Sequence, residues 1–242
     1  MPSIHALARR MHGGAAQAPE TALETRPRAT EATGGLVLNS GAGYDLMIAA
    51  ADVLLFRGAL RALRRRTVDL AHLKSGEVAL DVGCGTGALA VEVARRVSPT
   101  GRVVGVDPGP AQIARARANG VRRGLPATFQ VGVVERLEFP DQTFDVVFST
   151  LMMHHLPANL KRQGLAEIAR ALKPGGRLVI ADFIPKTARR GRAAHFHAGG
   201  SDMAALAALA AEAGFSQVNI EEARQPRFSL FPGAGLLTAR KA

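Results

Sequence analysis

A carboxylate and three glycines, Asp81-x-Gly83-x-Gly85-x-Gly87, stand within seven residues, and a second carboxylate, Asp107, follows 20 residues after the last glycine. Three absent side chains at alternate positions let backbone N–H groups approach a bound molecule and let the chain turn sharply. An acid at the tip of the second strand of a β-α-β unit can accept both hydrogen bonds of a ribose diol. The pattern suits a nucleoside-containing cofactor. The glycines alone leave its identity open, because Gly83-x-Gly85-x-x-Ala88 also satisfies the dinucleotide pattern. A dinucleotide would set a pyrophosphate over the helix N-terminus, whereas Asp81 beside the turn suits a ligand that carries positive charge. Further along, His154 and His155 supply the side-chain type that exchanges a proton near neutral pH.

The elements that must position these residues can be read from the pattern. Val78 to Val82 is apolar and β-prone around Asp81, and good helix formers run from Ala88 to Val97 before the breaker cluster Ser98-Pro-Thr-Gly101. A second strand, Arg102 to Asp107, leads to a helix from about Ala111 to Arg123 and a third strand from Ala127 to Val133. After the turn Pro140-Asp-Gln-Thr143, the fourth strand spans Phe144 to Thr150, and a helix follows from about Ala158 to Leu172. Lys173-Pro-Gly-Gly176 then feeds a fifth strand, Arg177 to Phe183. Ser201 is expected to cap a last helix ending at Ala213 with Gly214 as its stop, and Phe215 to Ala223 and Gly235 to Lys241 read as a closing antiparallel pair. Alternating strands and helices imply an α/β fold. Open sheets of this kind bind ligands at the carboxyl ends of their strands. His154 and His155 lie just past such an end, either as a general base or with one capping the helix near Pro157 and the other packed.

The string Asp81-x-Gly83-x-Gly85-x-Gly87 with Asp107, followed by Phe144-Asp-Val-Val-Phe-Ser-Thr-Leu-Met-Met-His-His-Leu156 and Arg170-Ala-Leu-Lys-Pro-Gly-Gly-Arg-Leu-Val-Ile-Ala-Asp-Phe183, resembles the ordered motifs of class I S-adenosylmethionine-dependent methyltransferases. Within that family it looks most like the small-molecule branch that includes the ubiquinone and menaquinone biosynthesis enzymes. The resemblance covers roughly residues 40 to 240. It implies a Rossmann-like, seven-stranded, mostly parallel sheet with a C-terminal antiparallel hairpin and an N-terminal helical lid, and S-adenosyl-L-methionine as cofactor. By the same resemblance Asp81, Gly83, Gly85 and Gly87 would hold the methionine end, Asp107 the ribose and Pro108 the adenine, and the Ser149 backbone would meet the methionine portion. Relatives commonly carry Gly-Asp-Ala after strand three, where this chain has Gly132-Val133-Val134. Adenine recognition would then rest on a backbone N–H near Val134, on Glu135, or on water. Tyr44 stands where a lid residue is expected. Asp145 reads as structural. The implied reaction is in-line methyl transfer to a small, partly apolar acceptor, with His154 or His155 as the candidate base.

The 242 residues suffice for one α/β domain with an appendage: a disordered tail over 1–34, a helical lid over 35–73 and the cofactor-binding domain over 74–242. Lys and Arg outnumber acids 31 to 20, for a net charge of +11. Such a balance attracts polyanions, which keeps a nucleic-acid methyltransferase or basic binding protein as an alternative. Against it stand the absence of Trp, the single Tyr and the lack of an Asn/Asp-Pro motif after strand four. A nicotinamide oxidoreductase is the remaining alternative, opposed by Asp81 and the terminal hairpin. Arg57, Arg61, Arg64, Arg65 and Arg66 cluster in a helical stretch from Tyr44 to about Leu73; they read as a solvated face or as a site for phosphate-bearing ligands or membrane headgroups. His195 and His197 are candidates for substrate contact, without the neighbouring ligands that a metal site needs. The apolar run Leu46 to Phe56, interrupted by Asp52, is too short to span a bilayer, so a soluble protein without a transmembrane segment is expected, with peripheral membrane contact left open. The one cysteine, Cys84, forms no internal disulfide, in keeping with a cytoplasmic setting.

Overall fold

The computed structural model describes residues 33–37, 41–184, 200–224, 226, 230–231 and 233–242. Strands β1 (Val78–Val82), β2 (Arg102–Asp107), β3 (Ala127–Val131), β4 (Phe144–Thr150), β5 (Leu172–Phe183), β6 (Phe215–Glu222) and β7 (Ala234–Lys241) form one seven-stranded sheet in the order β3-β2-β1-β4-β5-β7-β6. The first five are parallel, and β7 runs antiparallel between β5 and β6. The order reverses between β1 and β4, so their carboxyl ends flank the crevice where such sheets bind ligands.

Among the described residues the α-helices are α1 (Gly41–Leu54), which packs on α4 and α2, and α2 (Ala59–Leu70), α3 (Ala88–Val97), α4 (Pro110–Arg123), α5 (Ala158–Ala171) and α6 (Met203–Glu212), which flank the sheet. The central strands are buried on both faces, which is why they read as nearly continuous apolar runs rather than alternating ones. Leu80, Val82, Val104 and Val147 pack with Leu165 and Ile168 of α5 and Leu206 of α6. Ala79, Val103, Val146 and Phe148 pack on the other side with Leu89 and Val93 of α3 and Ile113 of α4. Asp145 accepts from the N–H of Val78 at 2.9 Å and pairs with Lys173, joining the entrances of β1 and β4.

Several boundaries move for physical reasons. β3 stops at Val131 rather than Val133, because Gly132 N–H donates to the Asp107 carbonyl and Val133 bridges back to Arg136. β5 starts at Leu172, opposite Phe144, and absorbs the Lys173–Gly176 turn as a register shift. The helical stretch expected from Tyr44 to about Leu73 forms two helices, separated where Arg57 and Gly58 take positive φ. Ala59, Leu60 and Leu63 of α2 are buried with Ala181 and Leu236 of the sheet. Ser201 does not cap α6. Asp202 does, accepting from Ala204 and Ala205 N–H. Of the expected tail, residues 1–32 lie outside the described residues, while Thr33 bonds to Glu135 and Leu36 N–H donates to the His155 carbonyl.

Candidate functional site

The glycine turn is bound to the ends of β1 and β2. Gly83 and Cys84 both donate N–H to the Val106 carbonyl, at 2.8 and 3.0 Å. Gly83, Gly85 and Gly87 have φ of 69°, 52° and 80°, a left-handed region that penalises any side chain. A Cβ on Gly83 would stand 2.2 Å from Met152 Cγ, and one on Gly87 would stand 2.9 Å from the Phe129 ring. Gly83 and Gly87 are thus glycines because neighbours close over them. Gly85 differs, since a Cβ there would meet nothing within 4 Å. That open space is where a ligand can lie against the backbone.

Two buried carboxylates underlie the turn. Asp107 accepts from Gly85 N–H through Oδ2 at 2.9 Å and from Gly109 N–H through Oδ1 at 2.8 Å. It therefore braces the turn, a role not read from the sequence, and each oxygen keeps a lone pair for a further donor. Asp81 is 1% exposed, and its Oδ2 accepts no hydrogen bond among the described residues. Burial pushes its pKa up to about 8; the Ala90 N–H opposes the shift, the Asp107 charge adds to it, and the Arg64 charge offsets part of it. Burial also raises Asp107, against the N–H groups of Gly109 and Gly85. The Cys84 thiol is pushed well up by burial and then by both carboxylates, so it stays protonated and inert.

At the far edge of the turn, Pro108 is half-buried at the tip of β2. The Val134 side chain is buried against Gly164 of α5, leaving only its backbone for a ligand. The Glu135 carboxylate is bonded by Thr33, so a purine amino group would have to share it.

The opposite wall follows β4. Ser149 is fully buried between β1 and β5, with its hydroxyl unpartnered among the described residues. The chain leaves the strand through Leu151 at φ 55° and enters a single 3₁₀ turn, Met153–His155. Asp182, at the end of neighbouring β5, holds this turn. It is fully buried and accepts from the His154 N–H at 2.8 Å, from His154 Nδ1 at 2.6 Å and from Ser201 Oγ at 2.7 Å. A carboxylate that only accepts pairs with the tautomer that carries its hydrogen on Nδ1, which leaves the lone pair on Nε2. The His155 ring lies 3.9 Å from that of His154. His154 does not cap α5, which begins after Pro157 without a side-chain cap; its ring is packed between those of His155 and Phe183. The sequence reading missed Asp182 and Ser201. The acid within the quoted Ala181-Asp182-Phe183 string was the available signal.

From the N-terminal side, Asp45 of α1 reaches Arg115 Nε at 2.7 Å and Asn119 Nδ2 at 3.3 Å, and Asn119 also donates to the Thr86 carbonyl in the turn. Burial works against ionisation of Asp45, but hydrogen bonds from Thr86, Arg115 and Asn119 outweigh it and hold the pKa below the usual value. Tyr44 falls in α1 beside Asp45, with its side chain outside the described set. His195 and His197 also lie outside the described residues.

The residues present fit a cationic nucleoside ligand. An ammonium would satisfy the buried, unpartnered carboxyl oxygen and favour its ionised form, whereas a pyrophosphate would hold the group protonated and gain no opposite charge from it. Residues 79–176 match the methyltransferase domain family. The chain is 36% identical over 142 residues to the ubiquinone/menaquinone biosynthesis C-methyltransferase UbiE of Geobacter sulfurreducens, covering 58% of this chain and 53% of that protein. It is 39% identical over 142 residues to the demethylmenaquinone methyltransferase of Thermus thermophilus, covering 59% and 61%. The chain thus spans between half and two thirds of these relatives. An S-adenosylmethionine-dependent methyltransferase from Aquifex aeolicus shares the fold, with a TM-score of 0.63 at 19% identity over 82% of this chain and 96% of that one. Over its sheet and glycine turn the chain resembles class I methyltransferases, whose cofactor is S-adenosyl-L-methionine.

Proposed function

We propose that this chain, with a methyltransferase domain match over residues 79–176, transfers the methyl group of S-adenosyl-L-methionine to a small, partly apolar acceptor of quinone-like type. Two observations carry the reading together: the unpartnered Oδ2 of buried Asp81 at the end of β1, and the open space at Gly85 in the turn that follows it. The names of the matched relatives support a quinone-like ring over a lipid headgroup or another aromatic metabolite. The single cysteine accords with a cytoplasmic setting.

Bound at this turn, the cofactor would supply a methyl group on a positively charged sulfur that departs as a neutral thioether. Asp81 would ionise against the ligand's ammonium, and Asp107 would offer its remaining lone pairs to the ribose hydroxyls. Gly85 would let the backbone approach, and Met152, resting on Gly83, would help to keep water from the transfer path. Aligning two reactants at attack distance supplies roughly 7–11 kcal/mol of a barrier, so positioning by these groups is their main contribution. An acceptor carrying a phenolic or acidic C–H proton needs a base. His154 Nε2 would take that proton, while Asp182 keeps the other nitrogen protonated and the ring fixed.

Calorimetry with S-adenosylhomocysteine, with NADH as control, tests the cofactor; one-to-one binding of the first alone is expected. Methyl transfer from labelled cofactor to a short-chain demethylated quinol then tests the acceptor. Binding of NADH instead would overturn the reading.

A further inference from the structure

Helix α1 is built inside out. Its two acids point into the protein: Asp45 is tied to Arg115 and Asn119, and Asp52, 3% exposed, accepts from the Leu60 N–H at 2.9 Å and from Arg61 at 3.3 Å. Ile48 packs toward Leu60 and Leu236, but its other large aliphatic residues point to water, with Leu46 75%, Met47 59%, Val53 56% and Leu54 76% exposed. With exposed Ala50, these positions fall within about a third of the helix circumference. Normal amphipathic packing puts such a stripe against the core. The stripe is extended past the helix by Leu55, 48% exposed, and by Leu230, 68% exposed, whose N–H donates to the Leu55 carbonyl at 3.0 Å. A contiguous exposed apolar surface of this kind marks an interaction site.

The charge beside the stripe identifies the partner. Arg57 is exposed three residues after Leu54. The Arg61 guanidinium, with its side chain 61% exposed, sits on Asp52 beside Val53, and Arg65 is exposed one turn further along α2. Arg61 is offset by Asp52, and the exposed Arg57 and Arg65 leave the border of the stripe basic, on a chain of net charge +11. A second copy pairing about a two-fold axis would bring two such arginine borders together. An anionic lipid surface neutralises them while its acyl region takes up the leucines. We propose that the α1 stripe is a docking surface for an anionic membrane, with α1 lying in the interface plane. This inference is independent of the methyl-transfer reading.

The test is co-sedimentation of the full chain with vesicles of phosphatidylcholine alone and with phosphatidylglycerol added. Binding to the phosphatidylglycerol vesicles that weakens with salt is expected. Leu46→Glu/Leu54→Glu should lower it by at least about tenfold, since two buried leucines are removed. Arg57→Glu/Arg65→Glu should weaken binding while leaving the leucine contribution in place. Both sites are exposed, so circular dichroism and melting should be unchanged in each variant. Failure of the wild-type chain to sediment with either vesicle, or unaltered binding by the leucine variant, would overturn the proposal. So would light scattering that shows a dimer, without lipid binding, which the leucine variant dissociates; the stripe would then be a contact between copies.

Discussion

Asp182 Oδ1 lies 2.6 Å from Nδ1 of His154, although 28 residues separate them. Parallel pairing of β4 with β5 sets Thr150 opposite Ala181, so the residue after Ala181 stands beside the turn that follows Thr150. The same carboxylate takes the His154 backbone N–H and the Ser201 hydroxyl. One buried acid thereby fixes the ring, the turn that carries it and the approach to α6.

His154→Gln is expected to lower turnover by about 10²–10⁴-fold, the usual contribution of a positioned base, with cofactor affinity little changed. Asp182→Asn should lower turnover too and shift the pH–rate profile, because an amide can donate to Nδ1 and favour the other tautomer. Turnover measured with labelled cofactor, alongside calorimetry with S-adenosylhomocysteine, separates the two effects. Unchanged turnover in His154→Gln would remove the base assignment.

Binding of the cofactor should release a proton. Asp81 has its pKa raised to about 8, so at neutral pH it is largely protonated, and a ligand ammonium favours the ionised form. Below that value, affinity should weaken by up to about tenfold per pH unit. Calorimetry in buffers of different ionisation enthalpy reads the proton directly. In Asp81→Asn the pH dependence left over belongs to the ligand's own amino group.

The ligand-free protein should lose stability as pH rises, on account of the same group. Its folded pKa of about 8 exceeds the usual 3.8, so the native state holds a proton that the unfolded chain has released. The stability this provides is fully present below 3.8 and is lost as pH rises through about 8. Melting temperatures across this window should fall in the wild type more steeply than in Asp81→Asn. Equal slopes would mean that Asp81 is ionised in the native state.

Asp107→Ala and Asp107→Asn should part company. Alanine leaves the N–H groups of Gly85 and Gly109 without their acceptor, at about 1–3 kcal/mol for each one that water cannot reach. Asparagine keeps one acceptor and most of the stability. Both should weaken S-adenosylhomocysteine binding by about tenfold or more through the lost charge-assisted bonds. Intact affinity in the asparagine variant would show that the carboxylate only braces the turn.

Two glycine variants distinguish packing from ligand space. Gly83→Ala drives a Cβ to 2.2 Å from Met152 Cγ at φ 69° and should cost about 1–3 kcal/mol in thermal unfolding. Gly85→Ala faces open space at φ 52° and should cost about 1–2 kcal/mol, yet it should abolish cofactor binding. If Gly85→Ala binds normally, the ligand does not cross that face.

The sequence by itself determined the elements and the turn between them. β2 and β4 run over the residues that their apolar patterns mark, α3 starts after Gly87 and ends at Val97, and the Asp81–Gly87 string forms the expected sharp bend. These are local properties, set by periodicity and by glycine's freedom at positive φ. Only the tertiary structure decided who partners whom. Asp182 meets His154 because of strand order and register. Ser201 serves Asp182 and leaves the cap of α6 to Asp202. Asp45 and Asp52 turn inward because Arg115 and the start of α2 wait there, which sends the leucines of α1 outward. An apolar stripe has the same period whichever way it faces, and its direction is fixed only by what the opposite side of the helix finds to bind.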